Sequence, residues 1–546
     1  MSGCNKKTSQ ETKETSQKMG QDNAPFSWKG ANVYFLLTDR FNNGDTSNDV
    51  NFGRDKKKAG TLRGFEGGDL KGVTKKIRDG YFDKLGINAI WMTPIVEQIH
   101  GATDEGTGLT FGYHGYWTRD WTAIDPNFGT EEDLRKLVET AHAHGIRILL
   151  DAVINHTGPV TEVDPVWPDN WVRTGPQCKY EDYQSTVSCT LVKNLPDVLT
   201  ESNESVELPP TLIKKWKNEG RYEQEIAELD AYFKRTGHPR APRFYIMKWL
   251  TDYITEFGID GYRVDTAKHT EETVWQEFRK ECDYAFAEWK KTNPGKILDD
   301  NAFYMVGEVY GYGISGGQWY DFGDRKVDYF DSAFNSLINF EFKWNARQMS
   351  IADLFTRYDT ILHGSLKNYG VLNYLSSHDD GDPFDALREH PLESGTLLLL
   401  APGTSQVYYG DESARLLKIP DAIGDANLRS NMNWEQMAVD KHADTVLTHW
   451  QKLGKFRKEH PAVGAGKHQE LSQKPYVFSR TFTDGGFSDA VIVGMDLDQA
   501  QQEIKVAPVF TDGDILKDAY SGAVYKVENN SIVIKTPVKI LLLEKK

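Results

Sequence analysis

Residues 146–157 read IRILLDAVINHT, an aliphatic run that closes on Asp151, Asn155 and His156. Just ahead of it, LRKLVETAHAHG (134–145) carries apolar side chains at helical spacing and stops on a glycine. A helix feeding into a wholly apolar strand points to a parallel sheet covered on both faces. The pattern repeats outward along the chain. The run 33–37 ends at Thr38-Asp39, and 88–92 follows GVTKKIRDGYFDKLG and ends at Thr93-Pro94. The run 259–264 follows FYIMKWLTDYITEFG, and further runs lie at 303–306, 371–375 and 405–409. Strands alternating with helices over about eight units predict a (β/α)8 TIM barrel with insertions.

The barrel is expected over 25–155 and 241–460. Between them, 156–240 loses the rhythm, is rich in Pro, Trp, Asp and Asn, and reads as an inserted domain B after the third strand. From 461 to 546 the stretches YVFSRTF, AVIVGMD, IVIKT and KILLLE alternate without helical periodicity, which predicts a C-terminal antiparallel β-sandwich.

A length of 546 residues suits two or three domains. With 64 Lys and Arg against 80 Asp and Glu the net charge is −16, a field that repels phosphate backbones, and no basic block offsets it; a nucleic-acid partner is excluded. No run approaches the ~20 apolar residues of a membrane span. Aromatics make up 12%, with 14 Trp and 25 Tyr, which fits either a large aromatic core or a cleft of flat rings that stack on sugars; composition alone favours the core.

Barrel enzymes carry their chemistry at the C-terminal ends of strands. Four ends here are polar in a similar way: DAVINHT with Asp151, Asn155 and His156, GIDGYRVDTAKH with Arg263, Asp265, Lys268 and His269, VGEVY with Glu308, and NYLSSHDD with His378, Asp379 and Asp380. A single acidic strand end is usually a cap or a solvated loop, but four on one face are harder to dismiss. Glycoside hydrolysis needs one carboxylic acid to protonate the leaving oxygen and one carboxylate to attack or stabilise the oxocarbenium-like centre. Arg263, two residues before Asp265, points to the same side of the strand and favours the anion there. Glu308 would need a raised pKa to remain the acid.

These four stretches, in this order, resemble the conserved regions of the α-amylase family, glycoside hydrolase family 13. NLPDV (194–198) resembles its fifth region and YHGYW (113–117) the stretch after its second strand, so the resemblance covers roughly residues 28 to 460. It implies Asp265 as nucleophile, Glu308 as general acid/base and Asp379 as the third carboxylate. It further implies a retaining mechanism through a covalent glycosyl-enzyme, with carboxyls roughly 5–5.5 Å apart. Arg263 would orient the nucleophile. His156 and His378 would hydrogen-bond the sugar over a Tyr116 platform, with Tyr113 and Asp151 in the same site and Lys268 and His269 towards the leaving group. Ser377 stands where many relatives have Asn. The implied substrate is an α-1,4-glucan such as starch, glycogen or a maltooligosaccharide.

The resemblance also implies Ca²⁺, bound by Asn155, Asp197 and the carbonyl of His269 between the insert and the barrel. A second cluster is visible in the residues themselves: DRFNNGDTSND (39–49) packs Asn43, Asp45, Asn48 and Asp49 around a glycine turn, and GGDL (67–70) adds Asp69. It resembles the N-terminal calcium loop of cyclodextrin glucanotransferases, where a glycine carbonyl, here Gly67, also binds. Within the family, Asp197 fits α-amylases and glucanotransferases, whereas neopullulanases and cyclomaltodextrinases tend to carry Lys in that region. Lys193 replaces the central aromatic of glucanotransferases, so hydrolysis is the first reading. A cyclomaltodextrinase, neopullulanase or transferase is the second, and an inactive glucan-binding lipoprotein the third. Tyr310 sits where transferases hold an aromatic that favours a sugar acceptor.

Cys178 and Cys189, eleven apart in a polar stretch, close readily as a small disulfide loop, which would imply an oxidising compartment. Cys282, in a helical pattern, is expected as an inert half-buried thiol. At the amino terminus, Ser2-Gly3-Cys4 before about 20 polar residues resembles the end of a bacterial lipoprotein signal, which would place a lipid on Cys4 and make 1–24 a flexible tether; a plain tail is the other reading. The expectation is an exported monomer, periplasmic or at the cell surface.

Overall fold

The computed structural model describes residues 24–104 and 106–546. The strands β1 (Asn32–Leu36), β2 (Ala89–Met92), β3 (Arg147–Ala152), β4 (Gly261–Val264), β5 (Tyr304–Gly307), β6 (Ser336–Asn339), β7 (Gly370–Asn373) and β8 (Thr404–Tyr408) pair in sequence order, and β8 returns to β1 to close a barrel. Every rung is parallel. The seven predicted runs are seven of these strands, displaced by at most two residues. The sixth strand, SLIN, has no counterpart among those runs: four residues between Asn335 and a helix give too little pattern.

Register carries the strand ends into the site. Arg263 of β4 lies opposite Asp151 of β3 and Val306 of β5. The ladder runs one step past the strands, with the Asp265 amide donating to the Ala152 carbonyl (3.0 Å) and that of Glu308 to the Val264 carbonyl (2.9 Å). Both carboxylates therefore leave rigid backbone. A Cβ on Gly261 would lie 2.3 Å from the Tyr304 carbonyl oxygen, so this rung closes only with glycine.

The outer helices follow local rules. The helix Glu131–Ala143 starts with a capping box between Thr130 and Asp133. The helix Pro242–Phe257 has Pro at its start and Gly258 at φ 71° past its end. The segment between β3 and that helix is anchored by indoles: Trp167, Trp171 and Trp216 pack on Trp121 and Trp249, with ring centroids 5.1 to 6.3 Å apart. A good share of the tryptophans is thus core, as composition favoured. This segment is more regular than its composition suggested, holding the helices Pro210–Glu219 and Tyr222–Thr236. Cys178 and Cys189 are disulfide-bonded. Cys282 is fully buried rather than half-buried, because its helix turns that face onto the barrel.

At the carboxyl end, an antiparallel sheet of six strands runs from Lys467–Gln473 across to Val524–Lys526, and Gln502–Lys505 pairs with Ser531–Ile534 beside it. Ile492, Leu516, Leu541, Ile504 and Ile532 form their shared core. Two guanidiniums with no carboxylate partner close the seam with the barrel. Arg457 donates to the carbonyls of Gly30, Leu399, Ala401 and Gly403, and Arg480 to those of Leu400 and Val463. Burial pushes their pKa values down, to about 9 and about 10. Beside them, His460 is held by Asp489 and Glu544, each 2.9 Å away. Among the described residues no helix is long and apolar enough to cross a membrane. The expected tether, Cys4 included, lies outside the described residues apart from Ala24.

Candidate active site

Arg263 is the hub. Its Nη1 donates to Asp151 Oδ1 (3.0 Å) and to Asp265 Oδ1 (2.6 Å), and its Nη2 lies 3.0 Å from Glu308 Oε2. The three carboxylates, from three adjacent strands, thus meet around one buried guanidinium. Glu308 also accepts the Thr266 N–H at 2.8 Å. Thr266 reaches it by taking φ 48°, a left-handed conformation rare for a β-branched residue. Burial, reinforced by Asp265 and Asp379, lifts the pKa of Glu308 well above the carboxylate range even against Arg263.

Asp151 sits beneath, accepting from Trp91 Nε1 (3.1 Å) and the Tyr116 hydroxyl (2.8 Å), and burial raises its pKa to about 7. Tyr116 lies near-parallel to the His378 imidazole, centroids 5.2 Å apart, and its carbonyl meets His156 Nε2 at 3.1 Å. Burial lowers the pKa of both histidines, that of His378 to about 4, so each is neutral at pH 7. Asp379 accepts the Ser377 hydroxyl (3.1 Å), and its pKa is lowered: burial opposes the anion, but His378, Arg263, Arg429 and this bond outweigh it. The serine that departs from the family pattern thus fixes the third carboxylate. Lys268 donates to the Tyr310 carbonyl (3.3 Å), and His269 Nδ1 meets the Thr186 carbonyl (3.2 Å), tying the disulfide loop to this wall.

Asp265, Glu308, Asp379, Arg263, Asp151, Tyr116, His156 and His378 are therefore brought together, with Lys268 and His269 alongside. Tyr113 is not: its ring is fully buried under Arg40, 3.9 Å from the guanidinium carbon. Two participants escaped sequence reasoning. Trp91, which supports Asp151, reads as a core residue of β2. Arg429, whose Nε donates to the His378 carbonyl (2.8 Å), ends a short 3-10 helix, Gly424–Arg429, whose sequence carries no signal.

Among the described residues no three His, Cys, Asp or Glu side chains form a metal cluster, so any cation would rest on mixed amide, carbonyl and carboxylate oxygens. The first predicted set fits such an ion. Asp197 is bridged to His156, its Oδ2 lies 2.8 Å from Arg173 Nε, and burial still raises its pKa to about 9. A bound cation would favour the anion that this one guanidinium leaves biased towards its proton. The Thr270 hydroxyl donates to Asn155 Oδ1 (3.3 Å), which sets the main chain after His269 beside Asn155. The second set fits in part. Asn43 donates to Asp49 (2.8 Å), a Cβ on Gly67 would collide with both, and the buried Asn48 Oδ1 has no partner. Asp45, however, pairs with Lys71 (2.6 Å), and Asp69 accepts the amides of Gly44, Asp45 and Gly72.

The comparisons with known proteins agree with this geometry. The alpha-amylase catalytic-domain model matches residues 35–438. A periplasmic alpha-amylase of Escherichia coli is 38% identical over 522 residues, covering 84% of this chain and 72% of that protein. A cyclomaltodextrin glucanotransferase of Thermoanaerobacterium thermosulfurigenes is 26% identical over 82% of this chain, which spans only 58% of that protein. Among solved structures, an Anoxybacillus alpha-amylase superposes with a TM-score of 0.64 at 23% identity, covering 96% of this chain and 99% of that one, a likeness of fold. Motifs, barrel and family match together place the chain in the alpha-amylase family.

Proposed function

We propose that the chain is an exported α-amylase-type glycoside hydrolase that cleaves α-1,4 bonds of glucans with retention of configuration. The observation that carries this reading is the sharing of one guanidinium by Asp265 and Glu308, with Glu308 environmentally biased to keep its proton. Glu308 gives that proton to the glycosidic oxygen as the bond to the anomeric carbon breaks. An Asp265 oxygen attacks that carbon from the opposite face and forms a glycosyl ester. Glu308, now anionic, takes a proton from water, whose oxygen displaces Asp265 and restores both groups. Asp379 accepts the sugar's hydroxyls, and neutral His156 and His378 can each donate or accept there. Thr266 N–H and Arg263 steady Glu308 through both charge states.

Asn155, Asp197 and the His269 carbonyl would hold one Ca²⁺, and Asn43, Asn48, Asp49 and Gly67 the most suitable part of a second; the ion would lock the insert and the N-terminal loop to the barrel. Export is supported by the disulfide and by similarity to a periplasmic relative. Transfer to a sugar acceptor is the second reading, favoured by Tyr310, which stands 59% exposed beside Lys268 and Phe340 and could seat an acceptor ring. Chromatography of products from soluble starch, pullulan and cyclodextrin, with Asp265→Asn as blank, tests the reading. A ladder of linear maltooligosaccharides from starch is expected; rapid attack on cyclodextrin or pullulan instead, or cyclic products, would overturn it in favour of the relatives.

A further inference from the structure

Among the described residues Trp319 and Trp344 are the exposed tryptophans, and Trp344 is flanked by cations of its own helix. It lies in the helix Phe342–Gln348, which begins just past β6 on the catalytic face of the barrel, and 44% of it is open to solvent. Cations from its own helix stand over the ring: Lys343 Nζ is 4.8 Å and the Arg347 guanidinium carbon 5.0 Å from its centroid. Neither is a free surface charge. Lys343, buried, donates to Asp380 Oδ1 (2.5 Å) and to the Asp382 carbonyl (2.7 Å). Arg347 grips the Asp382 carboxylate with both terminal nitrogens, at 2.7 and 3.2 Å, and donates to the Pro383 carbonyl at 2.7 Å. Asp380 and Asp382 belong to the loop that begins with Asp379. Asp380 also accepts the Tyr374 hydroxyl (2.8 Å), Tyr374 packs on Phe340 with centroids 5.7 Å apart, and Phe340 on Tyr310 at 5.0 Å. An unbroken set of contacts thus runs from the wall beside Glu308 to an exposed, immobilised indole.

We propose that Trp344 is a specificity-determining residue whose open face stacks an outlying glucose unit of the bound chain, extending the cleft so that longer α-glucans are preferred. The inference rests on the glucan-hydrolase reading. An exposed indole steadied by cations that are themselves tied to a loop loses little freedom when a sugar ring covers its open face, and the apolar C–H face of glucose matches a flat apolar surface. Because the clamp is built on the Asp379 loop, the platform keeps a fixed distance from the bond to be cut. Binding energy gained far from that bond acts on kcat/KM only for chains long enough to reach it.

The test is kcat/KM of the full chain on maltotetraose, maltoheptaose and amylose for wild type, Trp344→Ala, Trp344→Leu and Trp344→Tyr. The Ala and Leu variants should lose about tenfold on the two long substrates and less than about twofold on maltotetraose, whereas Tyr, which keeps a flat ring, should stay within about threefold throughout. Leu retains apolar bulk, so it separates stacking from packing should Ala unfold. Equal losses at every chain length, or no loss on amylose, overturn the inference while leaving the enzyme assignment standing. A wild type inert on all three glucans overturns both.

Discussion

His460 bridges the last barrel helix and the C-terminal sheet, with Nδ1 on Asp489 and Nε2 on Glu544. These two carboxylates outweigh the cost of burial and raise its pKa from 6.5 to about 9. At about 1.4 kcal/mol per pH unit, the gap between those values is worth about 3 kcal/mol of folding stability. The raised pKa means that this contribution is complete below pH 6.5, where the unfolded histidine is also charged, and is lost as pH climbs through 9. His460→Gln cannot carry the charge. It should therefore destabilise by about 3 kcal/mol at pH 6 and by under about 1 kcal/mol at pH 9.5, where the wild-type ring is itself turning neutral. Glu544, lowered to about 2 chiefly by His460, holds its part of the pairing from its usual 4.5 up to the pH at which His460 gives up its proton, so both partners act fully near pH 6. Urea unfolding of wild type and variant at the two pH values measures the difference. A destabilisation of the same size at both would show that the histidine acts by packing, against Phe456 at 4.7 Å, and refute the electrostatic account.

Glu308→Gln and Asp265→Asn should each lower kcat by several orders of magnitude with melting temperature unchanged, and wild-type kcat/KM should fall on the alkaline side as Glu308 gives up its proton; a variant with near-normal turnover, or a rate still level at pH 10, would contradict the roles assigned. Ser377→Ala removes the hydroxyl that steadies Asp379 and should cost about tenfold in kcat, measured by steady-state kinetics on maltoheptaose, while an unchanged kcat would leave the serine a mere spacer. Excess EDTA should lower the melting temperature through loss of a ligand bound only by the folded state, and a calorimetric trace that does not move would count against both calcium sites.

The barrel was legible because its strands are buried on both faces and read as continuous apolar runs after helices; β6 escaped because four residues cannot show a run. The gathering of Asp265, Glu308 and Asp379 was legible for a related reason: an acidic side chain that ends an apolar strand contrasts with all that precedes it. The same contrast misleads where burial is decided by neighbours remote in sequence. Tyr113 shares a motif with Tyr116, yet Arg40 covers it. Asp69, one of the glycine-rich calcium pattern, spends its oxygens capping the helix that follows. Trp344 and the core tryptophans look alike in one dimension, since exposure belongs to the fold. Arg429 acts on His378 from 51 residues away with nothing local to announce it.

Thr266 takes on another meaning when the fold is viewed as a compromise. Its backbone sits where a β-branched residue is strained, at a cost of order 1–3 kcal/mol, and its own hydroxyl is buried without a partner. Glycine there would relieve the chain and make the folded protein easier to keep, but it would also free the amide that steadies Glu308. The turn after Asp265 is thus a point of local frustration, and directed evolution for heat resistance that reached it would be expected to gain durability and surrender turnover together.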